Sequence, residues 1–248
     1  MLVLLPPSET KANGGDGPPL DLSALAHPDL TETRRAVVSA LVDLADDVPS
    51  SLRLLGLSER RTDEVERNAA LLGSPTMPGL LRYTGVLYDA LDVGSLTESE
   101  RARADERLAV GSALFGLVRG TDRIPAYRLS AGNSLPNLGT LRGVWRPVLE
   151  PLLSAREDLV VDLRSGAYTA LARVPEALTV RVLTETQDGQ RSVVSHHNKA
   201  HKGELARALA RVPQEPRDVE DVITVAKDSG LRVERESEHQ LCIVVPAA

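Results

Sequence analysis

The chain has 248 residues, 42% of them apolar and 26% charged, which is enough for one sizeable core and excludes wholesale disorder. No run approaches the length of a membrane-spanning helix, about 18 apolar residues, so no membrane partner is expected. A formal charge of −6 at pH 7 excludes a protein that coats nucleic acid through bulk positive charge.

The opening MLVLLPPSETK lacks a positive n-region, and its apolar run stops at Pro6, so it reads as a first buried strand rather than a signal peptide. The loop from Pro6 to Pro19 packs Ser8, Thr10, Lys11, Gly14, Gly15 and Gly17 closely. Val37, Val38, Leu41, Leu44 and Ala45 stand at helical spacing and predict an amphipathic helix from Leu30 to Asp46. A second helix is expected from Glu59 to Leu72, with Ser58 as its cap and Gly73 at its end. Pro75 to Tyr88 is rich in turn formers and contains RYTGVLY. Thr97-Glu98-Ser99-Glu100 matches a capping box and predicts a helix to about Leu108.

The run GSALFGLVRG and the loop TDRIPAYRLSAG come next. Leu138 to Leu153 is helical in period, and Pro147 and Pro151 predict bends or short pieces within it. LVVDL at Leu159 to Leu163 suits a buried strand. Leu178 to Thr186 and Gln190 to Ser195 alternate around Asp188-Gly189, a hairpin signal. Helices are expected over Ala200 to Arg211 and Val219 to Asp228, the latter stopped by Gly230, before a closing hairpin of Leu231 to Glu236 and Gln240 to Val245. Cys242 in LCIVVP reads as a buried thiol. No internal disulfide can form from one cysteine, and a cytoplasmic address is expected. The whole reads as one domain, residues 1–248, of mixed α/β structure with a mixed sheet, C-terminal hairpins and a basic cleft.

Cations cluster in two segments. Gly111 to Leu149 holds Arg119, Arg123, Arg128, Arg142 and Arg146 against Asp122, and Arg191 to Arg211 holds Arg191, Lys199, Lys202, Arg207 and Arg211 against Glu204. Two basic segments in an acidic background suggest a local anion site. Only four of the 29 basic residues are lysines: Lys11, Lys199, Lys202 and Lys227. A chain that uses arginine elsewhere retains lysine where a compact, tunable ammonium is needed. All six aromatics, Tyr83, Tyr88, Phe115, Tyr127, Trp145 and Tyr168, fall between residues 83 and 168, and tyrosine suits a binding cleft. The run HHNKAH (His196, His197, His201) lacks the glutamate of H-E-x-x-H and carries lysines that repel a cation, so no metal is expected. Neither a phosphate loop nor G-x-G-x-x-G nor a nucleophile elbow occurs, and no cofactor is implied.

The segments LLPPSETK, RYTGVLYDAL, GSALFGLVRGTDRIPAYRL, VVDLRSGAY and NKAHKG occur in the order seen in the YaaA family of peroxide-stress proteins, and the chain resembles that family from Leu4 to about Gly203. The family segments look like LISPAKT, K-G-x-x-Y-x-G-L, L-S-G-L-Y-G-V-L-R-P-L-D-x-I-x-P-Y-R-L, L-A-S-x-E-Y and K-K-A-R-G. Ser112 to Leu129 matches most specifically. Departures are Glu9 and Thr10 before Lys11, a shifted register around Tyr83 and Tyr88, Arg164-Ser165 in place of Ala-Ser, and Ala200 in place of a second lysine.

The resemblance implies a single α/β domain with a positive cleft, a role in lowering damage from hydrogen peroxide and unincorporated iron, and DNA binding attributed to a helix-hairpin-helix element. The candidate for that element is Arg101 to Leu108, the turn around Gly111 to Gly116 and the segment beyond that turn. The function expected is a stress-protective DNA-binding protein; the alternative is an enzyme for a small nucleotide-like or phosphorylated substrate, with Lys11 or Lys199 as base or nucleophile and Arg119 and Arg128 holding the anion. The ligand or DNA site is expected from Ser8, Lys11, Arg82, Tyr83, Tyr88, Ser112, Arg119, Tyr127, Arg128, Ser165, Tyr168, Lys199 and Lys202, with the cations converging in space. Asp122 is expected to pair with Arg119, Arg123 or Arg128 and hold the arginine loop.

Overall fold

The computed structural model describes residues 1–193 and 198–247. Its sheet takes eight strands in chain order: Leu2–Leu5 (β1), Leu108–Ser112 (β2), Gly116–Arg119 (β3), Val160–Asp162 (β4), Leu178–Glu185 (β5), Arg191–Val193 (β6), Val233–Ser237 (β7) and Gln240–Pro246 (β8). They lie in the order β7-β8-β5-β4-β1-β2-β3, with β6 on β5. Strands β2, β1, β4, β5 and β8 are mutually parallel, while β3, β6 and β7 return antiparallel in hairpins. Every residue of β1, β2 and β4 is buried, as expected of central parallel strands covered on both faces.

The helices are Thr31–Ala45 (α1), Val48–Leu55 (α2), Thr62–Ala69 (α3), Gly79–Arg82 (α4), Val86–Leu91 (α5), Glu98–Arg107 (α6), Leu141–Ser154 (α7), Gly166–Thr169 (α8), Asn198–Arg211 (α9) and Val219–Asp228 (α10). One mixed α/β domain results, as the sequence predicts. The capping box at Thr97 and Glu100 starts α6, and both hairpins near the C-terminus form.

Several expectations need correcting. Asp47 accepts the Ser50 N–H and Gly56 ends the turn in the left-handed region, so a separate helix, α2, stands where none is predicted. Helix α3 begins at Thr62 rather than near Glu59, because Ser58 spends its carbonyl on a turn to Arg61. The stretch around RYTGVLY is helical in α4 and α5.

Helix α7 is one helix despite two prolines. Gly143, Pro147 and Pro151 lie four apart on its exposed face, so the carbonyls that lose a donor face water. Leu141, Trp145, Leu149 and Leu153 form the buried stripe opposite. The helix-hairpin-helix candidate does not take that shape either. Arg101 to Arg107 lies in α6, but the chain then enters the buried hairpin β2–β3, with no second helix.

That hairpin is pinned from three sides. Gly116 turns it with φ +74°, and the Trp145 ring fills the space where a Cβ would stand. Trp145 Nε1 donates to the Ala113 carbonyl at 2.8 Å. Buried Arg34 donates to the carbonyls of Phe115 (3.0 Å), Leu117 (2.8 Å) and Ala26 (2.7 Å). Asp122 completes the clamp by accepting the main-chain N–H groups of Ala26 (2.8 Å) and Arg119 (2.9 Å). It is a structural residue, as expected, but its carboxylate bonds amides rather than an arginine side chain. An asparagine at this position would have one acceptor oxygen for two donors. Asp122→Asn should therefore cost about 1–3 kcal/mol, read as a lower urea midpoint at unchanged m-value.

Candidate functional site: a cationic cleft at the strand switch point

Strands β1 and β4 are neighbours, but their onward connections diverge: β1 leads to β2 on one side, β4 to β5 on the other. Where connections part, the loops at the carboxyl ends leave a crevice, the usual ligand position of open α/β sheets. A cleft of about 630 Å³ opens there. Its walls are Pro6 to Glu9 after β1, Arg128 to Gly132, Leu163 to Tyr168 after β4, Val180 to Val182 of β5, and Lys199 and Lys202 from α9.

Each charged wall residue is held differently. The side-chain amide of buried Asn68 in α3 accepts the Arg128 N–H (2.8 Å) and donates to the Arg128 carbonyl (2.9 Å), fixing its main chain. The Arg128 guanidinium, 14% exposed, pairs across the mouth with Glu9, which is 74% exposed (3.2 Å). Asp162 is held on both oxygens by Arg164, at 2.9 and 2.7 Å, in a pair only 4% and 2% exposed, and Arg164 also donates to the Ala172 carbonyl at 2.8 Å.

Because Arg164 takes Asp162, Lys202 is left with the Leu163 carbonyl, at 3.1 Å, and has further N–H donors to offer. Burial lowers the Lys202 pKa from the ordinary lysine value, partly offset by Asp162. Lys199 is exposed one turn earlier on α9. Gly203 lets α9 approach α5 closely, since a Cβ there would run into the Leu87 carbonyl.

Behind the Ser8–Glu9 wall lies Lys11, paired as an isolated bridge with Tyr83. Its Nζ donates to the carbonyls of Ser8 (3.1 Å) and Glu9 (3.4 Å) and sits 4.1 Å from the Tyr127 ring centre and 5.5 Å from that of Tyr83. Burial first, then the Arg128 charge, lower its pKa to about 7. The tyrosines are linked beneath it: Tyr83 to Tyr127 at 3.0 Å, Tyr127 to Ser112 at 2.8 Å. Ser112 also accepts the N–H groups of Leu114 (3.2 Å) and Phe115 (3.0 Å), and Tyr88 donates to the Pro6 carbonyl at 2.8 Å.

Of the residues predicted from sequence, Ser8, Arg128, Ser165, Tyr168, Lys199 and Lys202 thus line the cleft. Lys11, Tyr83, Tyr88, Tyr127 and Ser112 form its backing. Two are elsewhere. Arg82 is fully buried and donates to the carbonyls of Ile124 (3.0 Å), Gly14 (2.9 Å) and Pro75 (3.1 Å), tying loops together. Arg119 ends β3, an antiparallel strand, so it emerges at the opposite end of the sheet and donates to the Glu106 carbonyl. The convergence of cations therefore holds for Arg128, Lys199 and Lys202, with Lys11 behind them, and not for Arg119. His196 and His197 lie outside the described residues. Sequence reasoning misses the roles of Glu9 and of the Asp162–Arg164 pair, although Arg164 already stands out as a departure from the resembled pattern.

The family model for peroxide stress protein YaaA matches residues 1–237. The chain belongs to the YaaA family. A UPF0246 protein of Corynebacterium glutamicum is 49% identical over 97% of each chain, and one of Streptomyces coelicolor is 46% identical over 96% of this chain and 93% of its own. A more distant UPF0246 protein of Aliivibrio fischeri is 27% identical, and the match covers 96% of this chain and 95% of its own.

Arg164→Leu leaves Asp162 buried without its partner and should cost about 3–5 kcal/mol, most of it recovered when Asp162→Val is added; urea unfolding of the single and double variants checks this. Lys11 gives a pH signature of opposite sense to a paired lysine. Its folded pKa lies below the unfolded value, so the unfolded chain binds more protons between about 7 and 10.5, and stability rises with pH through that window. Lys11→Met should flatten that rise in urea midpoints measured from about pH 6.5 to 10.

Proposed function

We propose that this protein serves the response to hydrogen peroxide by binding a small anionic, nucleotide-like ligand in the cleft between β1 and β4. The observation that carries the reading is that Arg128 and, from a distant part of the chain, Lys199 and Lys202 of α9 line one cleft of about 630 Å³. Charge-assisted hydrogen bonds from such groups hold phosphate or carboxylate. Beside them Pro7, Ala167 and Tyr168, which keep accessible surface, offer an apolar face for the rest of the ligand.

DNA binding, which the family resemblance implies, is the second reading, supported by the exposed Lys199 at the cleft and by the basic segment of α9. It has less support. A duplex needs a track of cations, and the other basic segment does not supply one: Arg119 is at the far end of the sheet and Arg146 pairs with Glu150. A part in limiting iron-mediated damage rests on the family alone.

Inorganic phosphate and a panel of mononucleotides, each titrated by thermal shift, test the reading. A ligand at about 100 times its Kd should stabilise the fold by about 2.7 kcal/mol, and Lys202→Ala should abolish the response. No shift with any of them, together with duplex binding whose log–log salt slope is about −0.9 per phosphate contacted, would give the cleft to DNA instead.

A further inference from the structure

Lys11 is not explained by holding an anion, because it stands behind the cleft wall and its Nζ is spent elsewhere. That nitrogen meets two carbonyls and two aromatic ring faces, and among the described residues no carboxylate forms an ion pair with it. Two carbonyl acceptors suit the two N–H groups of a neutral amine as well as an ammonium, and a neutral amine keeps a lone pair. Arg128, the cation of the cleft whose charge bears most on Lys11, is held by Glu9, whose carboxylate is largely exposed and two residues along the chain from Lys11. An anion on Arg128 would displace Glu9 and leave that carboxylate beside the amine.

We infer that Lys11 is a nucleophile for carbonyl compounds, forming an imine with an aldehyde or ketone whose anionic group is held by Arg128. The inference rests on the cleft reading above and names the ligand class for it: an anionic carbonyl compound. Lys11 Nζ adds to the carbonyl carbon, the C=O π pair moves to oxygen, and that oxygen takes a proton to give a carbinolamine. The C–O bond then breaks, the nitrogen loses its second proton, and water leaves, so that amine and carbonyl give imine and water with no oxidant or reductant. Glu9, once released from Arg128, carries the protons between nitrogen and oxygen. Burial beside Arg128 keeps a large fraction of Lys11 unprotonated near neutral pH, as the addition requires.

Pyridoxal 5′-phosphate, an aldehyde with a phosphate, serves as the probe, and borohydride fixes any imine for peptide mass mapping. At about pH 7.5, just above the lowered pKa, the reduced pyridoxyl group should sit on Lys11 alone among the four lysines, and excess inorganic phosphate should suppress it. Arg128→Ala should slow labelling about tenfold, the loss of one charge-assisted contact, and phosphate-free pyridoxal should label the wild type as slowly. Lys11→Arg, whose guanidinium stays protonated and forms no imine, should carry no group at the site. A label on Lys199 or Lys202, or one spread evenly over all four lysines, would overturn the nucleophile while phosphate protection left the anion cleft standing. Labelling of Lys11 that ignores phosphate and Arg128 would overturn the anchoring of the ligand. Absence of any phosphate effect on labelling and on melting together would remove the cleft reading itself.

Discussion

Guanidinium groups buried against main-chain carbonyls hold this fold together where its sheet does not. Arg34 gathers the hairpin turn after β2 and the loop before α1, Arg82 gathers the N-terminal loop with the segment before α4, and Arg107 takes the carbonyls of Leu209, Val212 and Pro213 at the end of α9. Each ties together pieces far apart in sequence whose carbonyls would otherwise be buried without donors. Lysine could not take this role, since one ammonium on a flexible stem lacks the planar fork of five donors. The strong preference for arginine over lysine in the composition is thus largely a matter of architecture. An isolated buried charge is costly, but each of these keeps its charge satisfied by several carbonyl dipoles at once.

Competition for partners also explains why the cleft is left positive. Asp162 would neutralise Lys202 if it were free, and Arg164 takes it. Glu9 is the exception: it faces Arg128 at the mouth with most of its surface in water, where such a pair is worth about 0–1 kcal/mol. Under the proposed reading, a ligand anion would displace it at little cost. Of the cleft's cations, Arg128 is thereby paired weakly and Lys202 only to a carbonyl, while Arg164 belongs to a buried structural pair.

Much of the fold was legible because its signals are local. The apolar β1, the capping box before α6, the Asp188-Gly189 turn and the closing hairpin each depend on a few adjacent residues. What failed depended on distant partners. The prolines of α7 read as breakers until Gly143 and the exposed face are placed together. GSALFGLVRG gives no strand period because the end of β2, the turn and most of β3 are all buried. For the site, residue types pointed to cations, hydroxyls and tyrosines without revealing location. Ser8, Arg128, Ser165, Tyr168, Lys199 and Lys202 come together through the parallel order of β1 and β4. Arg119 looks identical to Arg128 in sequence, yet the antiparallel turn at Gly116 sends it to the other end of the sheet. Arg82 looks like any loop cation, and only its burial among carbonyls reveals a structural residue.

Gly203 touches nothing in the cleft, yet it sets the clearance between α9 and the Leu87 carbonyl. Any side chain there would push α9 outward, and Lys199 and Lys202 with it. The placing of α9, which carries two cations of the cleft wall, thus depends on a residue that is not itself in the wall.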